Sequence, residues 1–200
     1  MFDAVEPESV GIVPVLLQTG YLTIKDYNDP LYQLGFPNAE VERSFYNSLL
    51  ADYSRVDSGM AQAYIVKLAK ALNTHQLDEC FKTLQYFFSS IPYSITIKQE
   101  KYYQSLFFVI FGLLGFEIKA EVQTNKGRID CVIETASRVY VIEFKLNGTK
   151  EDALQQIKDK QYAQPYLAGD KAIVLVGVEF DHEQRNLAGW VEETVVKYDF

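Results

Sequence analysis

Several functional classes are excluded by what the chain has little of. Only two cysteines, Cys80 and Cys131, occur in 200 residues. They lie far apart and outside any CxxC spacing, so there is no disulfide framework, and reduced thiols in a cytoplasmic protein are the expectation. His75 and His182 stand alone, which leaves almost no ligand set for zinc. Met1-Phe2-Asp3-Ala4-Val5-Glu6 has no basic n-region or long apolar core, so no secretory signal is visible. The longest apolar run, residues 106–116, is far too short to span a bilayer, and no membrane partner is expected. Basic side chains are in deficit, 19 against 27 acidic ones, for a net charge of -8 that the two halves of the chain share equally. That balance argues against nucleic acid held mainly by a broad basic surface, but leaves room for a locally charged cleft. No GxxxxGK[ST] loop occurs, so the chain cannot itself be a P-loop ATPase. Internal repeats and low-complexity segments are also missing.

Apolar residues are plentiful at 48%, 14% of the chain being aromatic. This suffices for a real core in one domain, or in one domain with a small helical partner. The first half reads as mostly α-helical. Residues 11–20 form a short helix closed by Gly20, and two extended runs, 21–24 and 31–34, flank the turn Asn28-Asp29-Pro30, like a small winged unit. Asn38 is a plausible N-cap for a helix carrying Val41, Phe45 and Leu49, and two more helices follow over 60–72 and 77–88 before Pro92. In the second half a helix over 99–114 ends at Gly115. Three strand-like runs, 117–124, 128–135 and 138–146, are separated by short turns and form an antiparallel meander. A helix over 151–162, a Val-rich strand over 171–180 and a last strand over 189–196 complete an α/β core with a mixed sheet.

The chemistry concentrates in the third strand of that meander. Alternation puts Val139, Val141, Glu143 and Lys145 on one face and Tyr140, Ile142, Phe144 and Leu146 on the other. An acid and a base thus end a face that begins apolar. Such charges are either solvated at an exposed strand end, or buried and in need of partners. On the preceding strand Ile129, Cys131 and Ile133 share one face and Arg128, Asp130 and Val132 the other, so pairing of the two strands brings Asp130 towards Glu143. Two adjacent carboxylates repel unless one is protonated or a cation lies between them. Carboxylate and carbonyl oxygens suit a hard ion such as Mg²⁺.

Asp130, then twelve residues, then Glu143-Phe144-Lys145 resembles the D…(D/E)xK signature of the PD-(D/E)XK nuclease superfamily. The order of elements around it fits that restriction-endonuclease-like fold, an αβββαβ core with a mixed sheet preceded here by a mostly α-helical N-terminal part. Gly127-Arg128-Ile129-Asp130, Tyr140-Val141-Ile142-Glu143-Phe144-Lys145 and Ala153-Leu154-Gln155-Gln156-Ile157 with Tyr162 look like the nuclease-like C-terminal domain of bacterial and archaeal AAA-ATPase-like proteins. Residues 16–24 and 36–41 are similar to the segment that joins the two modules of that family. The resemblance implies three regions: 1–37 as a remnant of the ATPase-linked winged segment, 38–95 as a helical linker, and 96–200 as the nuclease-like domain. It also implies a C-terminal piece or shortened gene product, any ATPase module lying upstream or on another chain.

The activity implied is metal-dependent phosphodiester hydrolysis. Asp130, Glu143 and the backbone carbonyl of Phe144 would hold Mg²⁺ or Mn²⁺, with Lys145 beside the attacking water. Glu100 would be the auxiliary metal carboxylate, or alternatively a first-turn acid that stabilises its helix dipole. Gln156 would face the site, lying between residues that pack on the sheet, whereas Gln155 would be solvated. Lys126 and Arg128 would contact substrate phosphates, unless Arg128 pairs with Glu121 or Glu134. The expected partner is nucleic acid, DNA in the first place. Two other readings stand beside this one: a catalytically silent domain of the same fold that binds nucleic acid or a protein, and a docking module built on Tyr46, Tyr53 and Tyr64.

Overall fold

A computed structural model describes residues 11–92, 94, 100–146, 148–181 and 183–196, the side chains of residues 100, 101 and 120 excepted. The chain divides into two compact units, Met1–Ser48 and Leu49–Phe200. In the first, α1 (Ile12–Gln18) is followed by Gly20 at φ +81° and by an antiparallel hairpin of β1 (Thr23–Asn28) and β2 (Leu31–Gly35). The Asn38 side chain accepts a 2.9 Å hydrogen bond from the Val41 N–H, which caps α2 (Ala39–Ser54) as expected. Tyr21, Phe36, Phe45 and Tyr46 form the aromatic cluster of this unit.

The second unit holds α3 (Ser58–Asn73), α4 (Leu77–Ser89) and α5 (Glu100–Leu113) before the sheet begins. The Asp57 carboxylate caps α3 by accepting from the N–H groups of Gly59 and Met60. Leu77, Cys80, Phe81, Leu84, Phe87 and Phe88 recur at helical spacing in α4 and are all buried. Gly115, at φ +75°, ends the α5 segment and turns the chain into β3 (Glu117–Thr124). Then come β4 (Gly127–Glu134), β5 (Arg138–Lys145), α6 (Lys150–Asp159), β6 (Ala172–Asp181) and β7 (Asn186–Thr194). The sheet order is β3-β4-β5-β6-β7, antiparallel throughout except for the parallel pair β5 and β6 joined through α6. This is the α/β architecture with a mixed sheet and a helical N-terminal part that the sequence predicts, although β7 begins earlier, at Asn186. Among the described residues, no helix is long and apolar enough to cross a membrane.

Both faces of the sheet are covered. On one, Leu154 and Ile157 of α6 pack with Val139, Val141, Ile173 and Leu175. On the other, Phe107 of α5 meets Phe144 at 4.6 Å and Tyr103 meets Phe180 at 4.7 Å, while Phe81 of α4 stacks on Trp190 at 5.2 Å. α6 lies unusually close to the sheet because its neighbour on β6 is Gly177. A Cβ there would fall 2.1 Å from the Lys150 carbonyl oxygen and 2.7 Å from the Leu154 nitrogen, both backbone atoms. A glycine inside a Val-rich strand marks such a close approach.

Gly177→Ala must therefore displace the first turn of α6 and should cost at least about 3 kcal/mol, the upper end for overpacking. Gly148→Ala is the control, since its added carbon would meet Asp152 and Lys145 side chains at an ordinary 3.6 Å. Urea denaturation of the two variants should show a large shift in midpoint for the first and almost none for the second.

Candidate active site

The sheet forks where the chemistry-bearing residues lie. The β4–β5 ladder runs from Glu134 opposite Val139 to Cys131 opposite Ile142, and stops there. β4 nevertheless stays paired with β3 as far as Gly127, and β5 with β6 as far as Lys145. Asp130 and Glu143 stand at the mouth of the resulting gap. Their carboxylates substitute for the missing ladder: the Phe144 N–H donates to Asp130 Oδ2 at 3.0 Å, and the Asp130 N–H donates to Glu143 Oε2 at 3.4 Å. Backbone donors on each strand are thus satisfied by a side chain of the other.

Simple alternation fails one residue before this point. Ile129, expected to share a face with Cys131 and Ile133, packs instead with Val132, Val141, Ile157 and Tyr162. The cause is an irregularity shared by two strands. Between the pairs Ala120–Cys131 and Val122–Ile129, Glu121 and Asp130 are not matched, and Glu121 takes φ +51°. The register is the same on either side of this pair, but the side chains beyond it are re-aimed. As a result, the successive residues Asp130 and Cys131 both line one cleft of about 460 Å³ beneath α5, with Glu121 and Phe144. Burial, and secondarily the charge of Asp130, push the Cys131 thiol up to about 12, so it remains protonated and inert.

α6 supplies the other wall of the fork. Thr149 and Asp152 form a capping box that fixes its first turn, and the contact at Gly177 holds it against the strand beside Glu143. Gln156 then joins the two candidate residues of β5: Lys145 Nζ donates to Gln156 Oε1 at 2.5 Å, and Gln156 Nε2 donates to Glu143 Oε1. Gln155 is exposed and donates to Asp159, as expected. Glu143 is only 3% exposed. Removing a carboxylate from water costs several kcal/mol, roughly, and here two donors and a nearby ammonium offset that cost. Tyr162, also buried, brings its hydroxyl to the Gln156 side chain and the backbone of Arg128; burial and then the charge of Glu143 push that hydroxyl up, so it too stays neutral.

The remaining candidates are placed less centrally. Glu100 is the first residue of α5, but its side chain lies outside the described set. Arg128 Nη1 stands 3.3 Å from Glu121, the pairing that was the alternative to a phosphate contact, and Lys126 hydrogen-bonds Gln161. Among the described residues no three or more His, Cys, Asp or Glu side chains converge as a metal cluster. Tyr46 is buried and Tyr64 packs edge-on against Phe87, which leaves only Tyr53 of the three tyrosines substantially exposed. Sequence reasoning missed the parts played by Glu121, Gly177 and the Tyr162 hydroxyl. Only Gly177 had a readable signal, its lack of a side chain within a buried strand.

A helix, a three-strand meander, a helix and a parallel strand, with the sheet splitting at an acid pair, make a mixed α/β fold consistent with the restriction-endonuclease-like one. Residues 98–190 match the family model of the PD-(D/E)XK nuclease superfamily. Similarity extends further along the chain in a protein of Azotobacter chroococcum mcd 1 named "Uncharacterized protein in vnfD 5'region", 34% identical over 210 residues. That alignment covers 98% of this chain and 40% of the relative, so the chain spans about two-fifths of that protein's length. No solved structure matches.

Tyr162→Phe should lower stability by about 1 kcal/mol, the net worth of a hydrogen bond, by leaving Gln156 and the Arg128 backbone without their shared partner. Chemical denaturation measures this, and an unchanged midpoint would show that the hydroxyl does not hold the fork.

Proposed function

We propose that the chain is a metal-dependent DNA phosphodiesterase whose reaction takes place at the fork. The observation that carries this reading is the Lys145–Gln156–Glu143 chain of hydrogen bonds meeting the Asp130 carboxylate where β4 and β5 part. The donors there fit a hard divalent cation, Mg²⁺ or Mn²⁺, because they are all oxygen: Asp130, Glu143 and the Phe144 carbonyl. In an extended strand the N–H and C=O of one residue point the same way, so that carbonyl faces the fork together with the N–H that Asp130 accepts. Glu100, heading α5, is the candidate for a further oxygen. A bound cation would supply an acidified water and offset charge on the scissile phosphate.

The side chains contribute orientation and charge. Lys145 brings an ammonium to the fork, where it orients the attacking water and stabilises the negative charge that builds on the pentavalent phosphate. Gln156 fixes the Lys145 ammonium and Glu143 relative to each other, so that neither must reorganise during reaction. Arg128 and Lys126 flank the site and are candidates for phosphate contacts once their present partners are exchanged. One observation favours the silent alternative: both Glu143 oxygens are already engaged, by Gln156 and by the Asp130 N–H. A PD-(D/E)XK domain that binds nucleic acid or a partner without cleaving is therefore the second reading. The regions proposed for 1–37, 38–95 and 96–200, and an ATPase module upstream or on another chain, belong to the same proposal.

Asp130→Ala and Lys145→Ala should each reduce DNA cleavage with Mg²⁺ or Mn²⁺ by about 10²–10³-fold, the usual loss when one preorganised charge is removed. Equal cleavage by these variants and the unaltered chain overturns the reading. Calorimetric titration with Mg²⁺ or Mn²⁺ provides a separate readout: binding should vanish in Asp130→Ala, whereas a docking module would be indifferent to metal.

A further inference from the structure

The cleft under α5 has a composition that the hydrolytic reading does not use. It opens beside Asp130, encloses about 460 Å³ and is lined by Phe107, Phe108 and Phe144, with Tyr53 and Gln104 also contributing. This volume lies in the range of small-ligand sites, roughly 300–1,000 Å³. Among the described residues that line it, two are acids, Glu121 and Asp130, and none is Lys or Arg, so an anion such as phosphate is a poor fit. A flat, neutral ring with hydrogen-bonding edges is a good one. Gln104 and Phe108 are one helical turn apart on α5 and therefore line the same side, and Tyr53 is 45% exposed with its ring 6.4 Å from that of Tyr102.

We infer that this cleft receives one unstacked nucleobase of the strand whose phosphate lies at the fork, so that the substrate is single-stranded or locally unpaired DNA. The inference rests on the phosphodiesterase reading for its placement, because Asp130 both lines the cleft and forms one lip of the fork. Aromatic faces bind bases with little regard to sequence, since every base has a π-face. A base still paired in a duplex cannot enter, because its ring is held in the stack and leaves only by flipping. The cleft thereby selects for strand state, and Gln104 is among the residues that line it.

The test uses the full chain with Ca²⁺ in place of Mg²⁺, and an oligodeoxynucleotide carrying 2-aminopurine, offered single-stranded and as a blunt duplex. The single strand should bind at least about tenfold more tightly and change 2-aminopurine fluorescence. Tyr53→Ala and Phe108→Ala should each weaken that binding by about 5- to 150-fold, the range for loss of one base–aromatic stack. Tyr53→Phe should retain it, which separates stacking from any loss of fold. Equal binding of duplex and single strand, or indifference to both alanine variants, overturns the inference and leaves the phosphodiesterase reading standing. Retained Tyr53-dependent binding of the single strand, with no cleavage of either DNA in Mg²⁺, supports the cleft as a base site and overturns the phosphodiesterase instead.

Discussion

Two backbone N–H groups at the centre of the sheet, those of Asp130 and Phe144, are paired by carboxylates instead of carbonyls. Inner strands normally satisfy such groups by continuing their ladder, and an unsatisfied buried donor is costly. Here the ladder ends at Cys131 and Ile142, and the two acids make an opening between inner strands affordable. α6 has to lie close enough for Gln156 to reach Glu143, and Gly177 permits that. Between α5 and the irregular stretch of β3 and β4 a cleft remains. The fold and the candidate chemistry thus share one small set of hydrogen bonds.

Electrostatics follow from the same set. The chain is acidic overall, and several of its described lysines are ion-paired: Lys119 with Glu117 and Glu134, Lys158 with Glu193, Lys171 with Glu134. Exposed pairs of this kind contribute little stability, but they mute the positive field that a polyanion would sense. Lys145, like Lys126, has a neutral amide for its partner. Its full charge therefore remains available at the fork, next to the acids that any bound cation would neutralise.

Much of this was legible in the sequence because it rests on period and punctuation. Apolar spacing changes from helical to alternating after Gly115, and Gly20, Asn38 and Gly115 end or start elements where their chemistry says they should. The placement of Gln156 rather than Gln155 follows from which residues of α6 pack on the sheet. What could not be read depends on a break in regularity. Nothing about a glutamate announces the left-handed backbone of Glu121, and without that irregularity strict alternation misplaces Ile129 and hides the cleft shared by Asp130 and Cys131. The Tyr162 hydroxyl was equally silent, since it meets Arg128 of β4 only in the folded chain.

The reciprocal pairing at the fork also makes the two acids unequal under isosteric exchange. An asparagine at position 130 still offers a carbonyl oxygen to the Phe144 N–H, so the strands can keep their spacing while the negative charge is gone. A glutamine at position 143 must turn an amide NH₂ towards one of two groups that already donate, and one of those contacts becomes repulsive. Loss of chemistry with retention of architecture is therefore the easier path at the first position and the harder one at the second. Drift towards a scaffold that only binds has a preferred direction, set by the two donors that converge on Glu143.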